Sequence, residues 1–239
     1  TVTIIGDGAA AGDDIFTHTP GAEPDDGTVL VNSLLAMLYT DIGLAGTVTA
    51  DGLTGTDTLN VRGTDTNDEF DVAATTGTVS HTLSSGQDRV DLLQTSIETL
   101  IIDSLAGDDQ ITINATTPYD NIGVNGGSPD NGSDVLTVIG AAATAETVAI
   151  SQSATNSTNQ TITGFGAVID VSGTELIEIS GQAADPDTLN VNLGEGDNTA
   201  RVERGAEVTG ANADVISSDS LPNIAFTGLA NFTATGGVG

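Results

Sequence analysis

The sequence predicts an all-β chain built as a parallel β-helix (β-solenoid), with tandem β-sandwich repeats as the alternative. Three observations predict it: short runs in which β-branched residues alternate with small polar ones, Gly, Asp or Asn at the breaks, and few large aromatics. The runs are Thr1–Ile5, Thr58–Val61, Phe70–Val72, Thr99–Asp103, Gln110–Ile113, Val135–Val138, Thr147–Ile150, Val168–Val171, Leu176–Ile179 and Thr188–Val191. Aromatic residues make up 3% of the chain and Trp is absent, whereas a sandwich core is ordinarily anchored by a Trp or several large rings. Stacked rungs can instead fill a narrow core with Val, Ile and Leu.

Ser33–Tyr39 is an apolar run that fits a helix or a buried strand by periodicity alone. An internal repeat separates the two. Residues 1–52 match residues 187–239 in order: Val2-Thr3-Ile4 with Leu189-Asn190-Val191, Gly21–Glu23 with Gly205–Glu207, Ser33-Leu34 with Ser220-Leu221, and Tyr39-Thr40 with Phe226-Thr227. A strand ending in Gly follows in both copies. Pro222 stands inside the apolar run of the second copy and disfavours a helix interior, so both copies are expected to be extended. The chain reads as a single repetitive β module, 1–239, that opens and closes on two versions of one unit with 53–186 between them. A protomer that stacks end to end, or a segment of a tandem array, has a reason for that arrangement.

A shorter pattern, Asp-x-apolar-x-apolar, starts at Asp57, Asp68, Asp109, Asp134 and Asp187, with a shorter form at Asp14. Often the preceding strand ends in Gly or Ser a few residues earlier, so the unit is strand, tight turn, strand. At Gly107-Asp108-Asp109, at Gly126-Gly127 with Asp130 and Asp134, and at Gly194-Glu195-Gly196-Asp197, hard oxygen ligands stand beside glycines that let backbone carbonyls converge. Asp108, Asp109, Asp130, Asp134, Asp187, Glu195 and Asp197 are therefore the candidate calcium ligands. The competing expectation is that these acids cap turns through side-chain to backbone hydrogen bonds. The pattern resembles a degraded form of the calcium-binding nonapeptide of RTX proteins, Gly-Gly-x-Gly-x-Asp-x-apolar-x, without the tandem succession that builds that family's site.

Charge narrows the partners. Asp and Glu number 34 against Arg62, Arg89, Arg201 and Arg204, with no Lys and a net charge of -30. Nucleic acid is excluded by the lack of clustered cations. Insertion into a membrane is not expected either, since the longest apolar stretch, Val29 to Leu38, is interrupted by Asn32 and Ser33. A divalent cation is the natural counterion where carboxylates on neighbouring rungs repel one another. Cys is absent, which removes disulfides and thiolate metal sites. The chain opens at Thr1 with neither Met nor a signal peptide, as expected of a mature or excised segment.

Catalytic signatures are missing. Gly-x-Ser-x-Gly, a phosphate loop and a dinucleotide fingerprint do not occur. Asp108 with Asp109, or Asp185 with Asp187, could be drawn as acid and base of a polysaccharide-active β-helix enzyme, yet acids recur at turns all along the chain and no pair stands out. His18 and His81, flanked by Thr, Ser and Pro, are expected to be isolated on the surface. Arg201 and Arg204 form the only basic pair, and on a strand they fall on opposite faces. A carbohydrate-binding module would need an aromatic-lined groove, and Tyr39, Tyr119, Phe165 and Phe226 are few and scattered. Ser151–Gln160 is the most polar stretch, an expected exposed loop, and glycosylation sequons occur at Asn114, Asn131, Asn156, Asn159 and Asn231.

The phrases GTDTLNVRGTDTNDEFDV, IETLIIDSLAGDDQITIN, NGGSPDNGSDVLTV and DSLPNIAFTGLANFTATGG resemble repeat modules of very large secreted or surface-attached bacterial proteins, abundant in planctomycete-type genomes. The resemblance spans most of the chain. It implies an extracellular or cell-surface scaffold, adhesin or surface-layer role, with calcium as a cofactor, and carries no functional residues with it; the partners expected from the repeat and the composition are other copies of the chain, stacked end to end, and cell-surface glycans.

Overall fold

The computed structural model describes residues 1–8, 12–128, 133–154, 156, 158–181, 186–194, 200–204, 214–218 and 221–236, and among them there is no helix. The strands are β1 (Val2–Ile5), β2 (Ile15–Pro20), β3 (Gly27–Val31), β4 (Met37–Tyr39), β5 (Thr47–Asp51), β6 (Thr58–Arg62), β7 (Asp68–Val72), β8 (Val79–Leu83), β9 (Gln87–Asp88), β10 (Asp91–Thr95), β11 (Thr99–Asp103) and β12 (Gln110–Asn114). They continue with β13 (Asn121–Asn125), β14 (Val135–Ile139), β15 (Thr147–Gln152), β16 (Gln160–Phe165), β17 (Ala167–Ser172), β18 (Leu176–Ser180), β19 (Thr188–Asn192), β20 (Ala200–Arg204), β21 (Asp214–Ser218), β22 (Asn223–Thr227) and β23 (Asn231–Thr235). Each strand run expected from the sequence lies on one of these. The disputed Ser33–Tyr39 segment is a turn leading into β4, not a helix.

The strands form two sheets with one hydrophobic core between them. Sheet I runs β1-β5-β10-β8-β7-β12-β14-β18-β22-β21-β20, with β9 beside β8; sheet II runs β4-β3-β2-β6-β11-β13-β17-β16-β15-β19-β23. The chain crosses from one sheet to the other at each corner. Parallel pairing therefore joins strands of successive coils, as in β6 with β11, β11 with β13, and β13 with β17. The long parallel ladders keep their register without a shift. Leu59, Leu100, Ile122 and Ile169 stack in one row of sheet II, and Phe70, Ile111, Leu136, Ile177 and Ile224 stack in one row of sheet I. A one-residue slip would turn each such row out to solvent, which fixes the register.

The fold departs from a plain β-helix in one respect. Four antiparallel meanders interrupt the winding: β2-β3-β4, β7-β8-β10, β15-β16-β17 and β20-β21-β22. They obey one rule. The first strand of a meander pairs in parallel with the following coil (β2 with β6, β7 with β12, β15 with β19), and the last pairs with the preceding coil (β10 with β5, β17 with β13, β22 with β18). Residues 1–52 and 187–239 share this layout of strand, meander, strand. Their registers agree as well, since Met37 opposes Val29 as Ile224 opposes Ile216, and Tyr39 opposes Gly27 as Phe226 opposes Asp214.

Corners are tight because the residue closing a strand is small. A Cβ on Gly63 would stand 2.7 Å from Asp68 Oδ2 and 2.6 Å from the Ser104 carbonyl oxygen. Gly63→Ala is therefore expected to destabilise the fold by about 1–3 kcal/mol, the usual cost of overpacking against backbone. Equilibrium denaturation in urea checks this, and an unchanged midpoint would refute the corner geometry.

Candidate cation site at the corner carboxylates

At most corners the strand that follows is introduced by an acid, and that acid is hydrogen-bonded to its counterpart on the neighbouring coil. In sheet II, Asp14 N–H donates to Asp57 Oδ1 (2.6 Å) and Asp57 N–H to Glu98 Oε2 (2.8 Å). In sheet I, Asp68 N–H donates to Asp109 Oδ1 (2.8 Å), Asp109 N–H to Asp134 Oδ1 (2.9 Å) and Asp134 N–H to Glu175 Oε2 (2.9 Å). A shorter column joins Glu146 N–H to Asp187 Oδ1 (2.9 Å). Asp14, Asp57, Asp68, Asp109, Asp134 and Asp187 are all buried. The cause is local: a corner N–H shut away from water must find an acceptor, and an ionised carboxylate one coil away is a strong one.

Where a meander opens the column, a polar side chain from its second strand or the turn after it supplies a donor. Asn32 Nδ2 donates to Asp14 Oδ1 (2.7 Å), and His81 Nε2 meets Asp68 Oδ1 at 2.8 Å. The second carboxylate oxygen divides the corners into two kinds. In closed corners the residue after the glycine donates to it: Asp7 N–H to Asp14 (2.9 Å), Thr64 N–H to Asp68 (2.6 Å) and Ala141 N–H to Glu146 (2.8 Å). In open corners the equivalent residue is left-handed, at Leu53 (φ 62°), Leu105 (φ 76°) and Gly127 (φ 89°). There the buried Oδ2 of Asp57, Asp109 and Asp134 has no hydrogen-bond partner among the described residues.

Those same three carboxyls are pushed above the ordinary carboxylate range. Burial is the main cause at each, opposed by the N–H from the neighbouring coil. The Asp134 carboxyl is pushed up to about 6, the charges of Asp109 and Glu175 adding to the effect of burial.

Among the candidate calcium ligands, the structure brings Asp109 and Asp134 together in one column and places Asp187 in another, paired with Glu146. Asp108 is half-buried and its N–H donates to Asn67 Oδ1 (3.0 Å). Asp130, Glu195 and Asp197, like Asp185 of the acid pair, lie outside the described residues. Among the described residues no three His, Asp or Glu side chains converge on a common metal position. What the buried acids do is hold the backbone of the adjacent coil.

Both histidines correct the surface expectation. His18 and His81 are 4% and 3% exposed, because Phe16 and His18, like Val79 and His81, occupy alternate positions on the inward face of a strand. His18 shares a hydrogen bond with the Tyr39 hydroxyl (2.7 Å), and burial, with His81 and Arg89 adding, pulls its pKa down to about 3, so it stays neutral. His81 stacks on Phe70 at 4.4 Å. Arg89 donates to the carbonyl oxygens of Gly21 (3.0 Å) and Glu23 (3.3 Å), tying the first two meanders together. Tyr39, Tyr119, Phe165 and Phe226 are all buried in the core, so none of them lines an open groove.

No protein-family model, no curated protein and no solved structure matches this chain.

The open corners set a pH dependence. The folded-state value of Asp134, about 6, lies above its ordinary 3.8, so folding takes up protons here. Its stabilising contribution is complete below about 3.8 and is lost as pH rises through about 6. Asp134→Asn keeps an acceptor for the Asp109 N–H and removes the charge. Its melting temperature is expected to exceed that of the parent at pH 8 by roughly 2–4 °C, as about 1 kcal/mol does in a chain of this size, with the gap closing by pH 4. A gap that does not vary with pH would rule out titration at this corner.

Proposed function

We propose that this chain is a structural or adhesive module of an extracellular or cell-surface protein, which self-associates end to end into a filament, layer or array. The observation that carries the reading is the meander pairing rule. It gives each meander one parallel partner on the preceding coil and one on the following coil, yet β4 lacks the first and β20 the second among the described residues. The unfilled edges match. Sheet I ends on β1 and β20, and sheet II ends on β4 and β23, so a second copy placed beyond β20 and β23 would meet them with β1 and β4 of the same respective sheets. Edge strands of stable monomers are ordinarily blunted by Lys, Pro or a covering loop. The chain has no Lys, and β4, Met37-Leu38-Tyr39, carries neither charge nor Pro.

Electrostatics work against such stacking. Copies that each carry -30 repel one another, so salt or a divalent cation such as calcium is expected to promote assembly by screening or bridging surface acids. The composition fits a passive role, with few cations, no Cys and every aromatic in the core except the half-buried Phe232.

Negative-stain electron microscopy with calcium and with chelator tests this. Filaments are expected in calcium, with an axial repeat of roughly 53 Å if eleven strands each advance about 4.8 Å. Dispersed monomers under both conditions, at high salt as well as low, would overturn the proposal.

A further inference from the structure

Exposed large apolar side chains are distributed unevenly over the molecule. Ile5, Ile15, Leu34, Leu35, Met37, Leu38, Leu44 and Leu53 all fall in the first 53 residues, and beyond them only Ile101 and Val168 are comparable among the described residues. The first end also holds an open, mainly apolar cleft between the two sheets, lined by Thr3, Ile4, Ile5, Val31, Leu34 and Met37.

The internal repeat indicates what belongs there. Leu34 corresponds to Leu221, and Met37 to Ile224. Leu34 is 68% exposed and Met37 45%, whereas Leu221 is 8% exposed and Ile224 0%. The difference is the preceding coil. Leu221 lies with Gln160, Thr174 and Glu175 around one groove, and β22 is paired in parallel along β18. At the first end of the molecule no described strand occupies the place that β18 holds for β22.

We infer that the cleft and edge formed by β1, Leu34 and β4 are the receptor for β23 of a second copy, docked in the register that β18 takes against β22. This rests on the end-to-end reading above. The register follows from the corners: Ala230 and Asn231 donate their N–H groups to the Asp187 carbonyl as Glu175 and Leu176 do to that of Asp134, which makes β23 the counterpart of β18. Since Ile177 opposes Ile224 and Ile179 opposes Phe226, Phe232 of the second copy opposes Met37, Thr233 opposes Leu38 and Ala234 opposes Tyr39. On the other sheet, Val2 and Ile4 fall opposite Ala200 and Val202, as Leu59 and Val61 do opposite Phe16 and His18. Phe232, half-buried and stacked on Phe226 at 5.0 Å, closes over the exposed Met37, and Leu34 gains the cover that Leu221 already has.

Because the chain has no Cys, disulfide trapping reads the register directly. Leu38→Cys with Thr233→Cys puts two outward-facing thiols opposite one another across copies, at opposite ends of one molecule, so any bond is intermolecular. Mild oxidation is expected to give a covalent ladder on a denaturing gel. Leu38→Cys with Thr235→Cys, displaced by two residues beyond disulfide reach, is expected to give none. A ladder from the displaced pair alone, or filaments that cross-link in neither variant, overturns this register while leaving end-to-end association standing. Monomers in sedimentation at every concentration, with no ladder, overturn both.

A second measurement guards against chance trapping. Leu34→Asp with Met37→Asp alters side chains already exposed in the monomer. It is expected to weaken self-association at least tenfold while shifting the melting temperature by less than about 2 °C, which corresponds to under about 1 kcal/mol. Unchanged association in that variant overturns the inference.

Discussion

The hydrogen bond from a corner N–H to the carboxylate of the adjacent coil is the constraint on which the rest of the structure depends. Strands satisfy one another along the ladders, but a chain that leaves one sheet for the other strands a peptide group at the turn. Burying that group unpaired would cost about 1–3 kcal/mol at every corner. Asp57, Glu98, Asp109, Asp134, Glu175 and Asp187 meet the need with a carboxylate that accepts the N–H of the neighbouring coil, and there is room for the acid at Asp57, Asp134 and Asp187 because the strand before it closes on Gly52, Gly126 or Gly181. The device carries its own tension. Successive carboxylates sit one strand spacing apart, roughly 4.8 Å, and only the intervening N–H dipoles, Asn32, His81 or a bound proton offset their repulsion. Nine of the 34 acids of this chain therefore belong to its corners.

Much of this was legible before any coordinates. Asp-x-apolar-x-apolar marks the buried corners, and these acids do accept backbone N–H groups as the capping expectation has it, but at Asp57, Asp109, Asp134 and Asp187 the donor belongs to the adjacent coil and not to their own turn. The same pattern picked out Asp109, Asp134 and Asp187 as candidate ligands, and it does not reveal that each is shut in the interior. The longer period was hidden by a substitution of Glu for Asp. Glu98 (ETLII), Glu146 (ETVAI) and Glu175 (ELIEI) are corners of the same kind, and with them the 41-residue spacing of Asp57 to Glu98, Asp68 to Asp109, Asp134 to Glu175 and Glu146 to Asp187 becomes visible. The meanders were harder to foresee because polar residues interrupt their inward faces. His81 in VSHTL reads as a break in alternation until Asp68 is known to lie beside it.

Stability is distributed accordingly. Apolar rows of one register run from β6 to β17 in sheet II and from β7 to β22 in sheet I, so each coil is supported mainly by its neighbours, as in other solenoids. The first end is where that support runs short. Leu34 and Met37 occupy positions that are core positions one repeat later, and their exposure reflects what lies next to them more than any difference in their own side chains.

Among the described residues each sheet counts eleven strands along its path, with β9 beside β8 in sheet I. Had the meanders been shared unequally, one wall of the body would be taller than the other, and repeated units would bow into an arc or close into a ring. Two meanders in each wall keep the top and bottom faces level. Were copies to stack as proposed, length would grow in proportion to copy number, about 5 nm at a time, with no curvature to limit it.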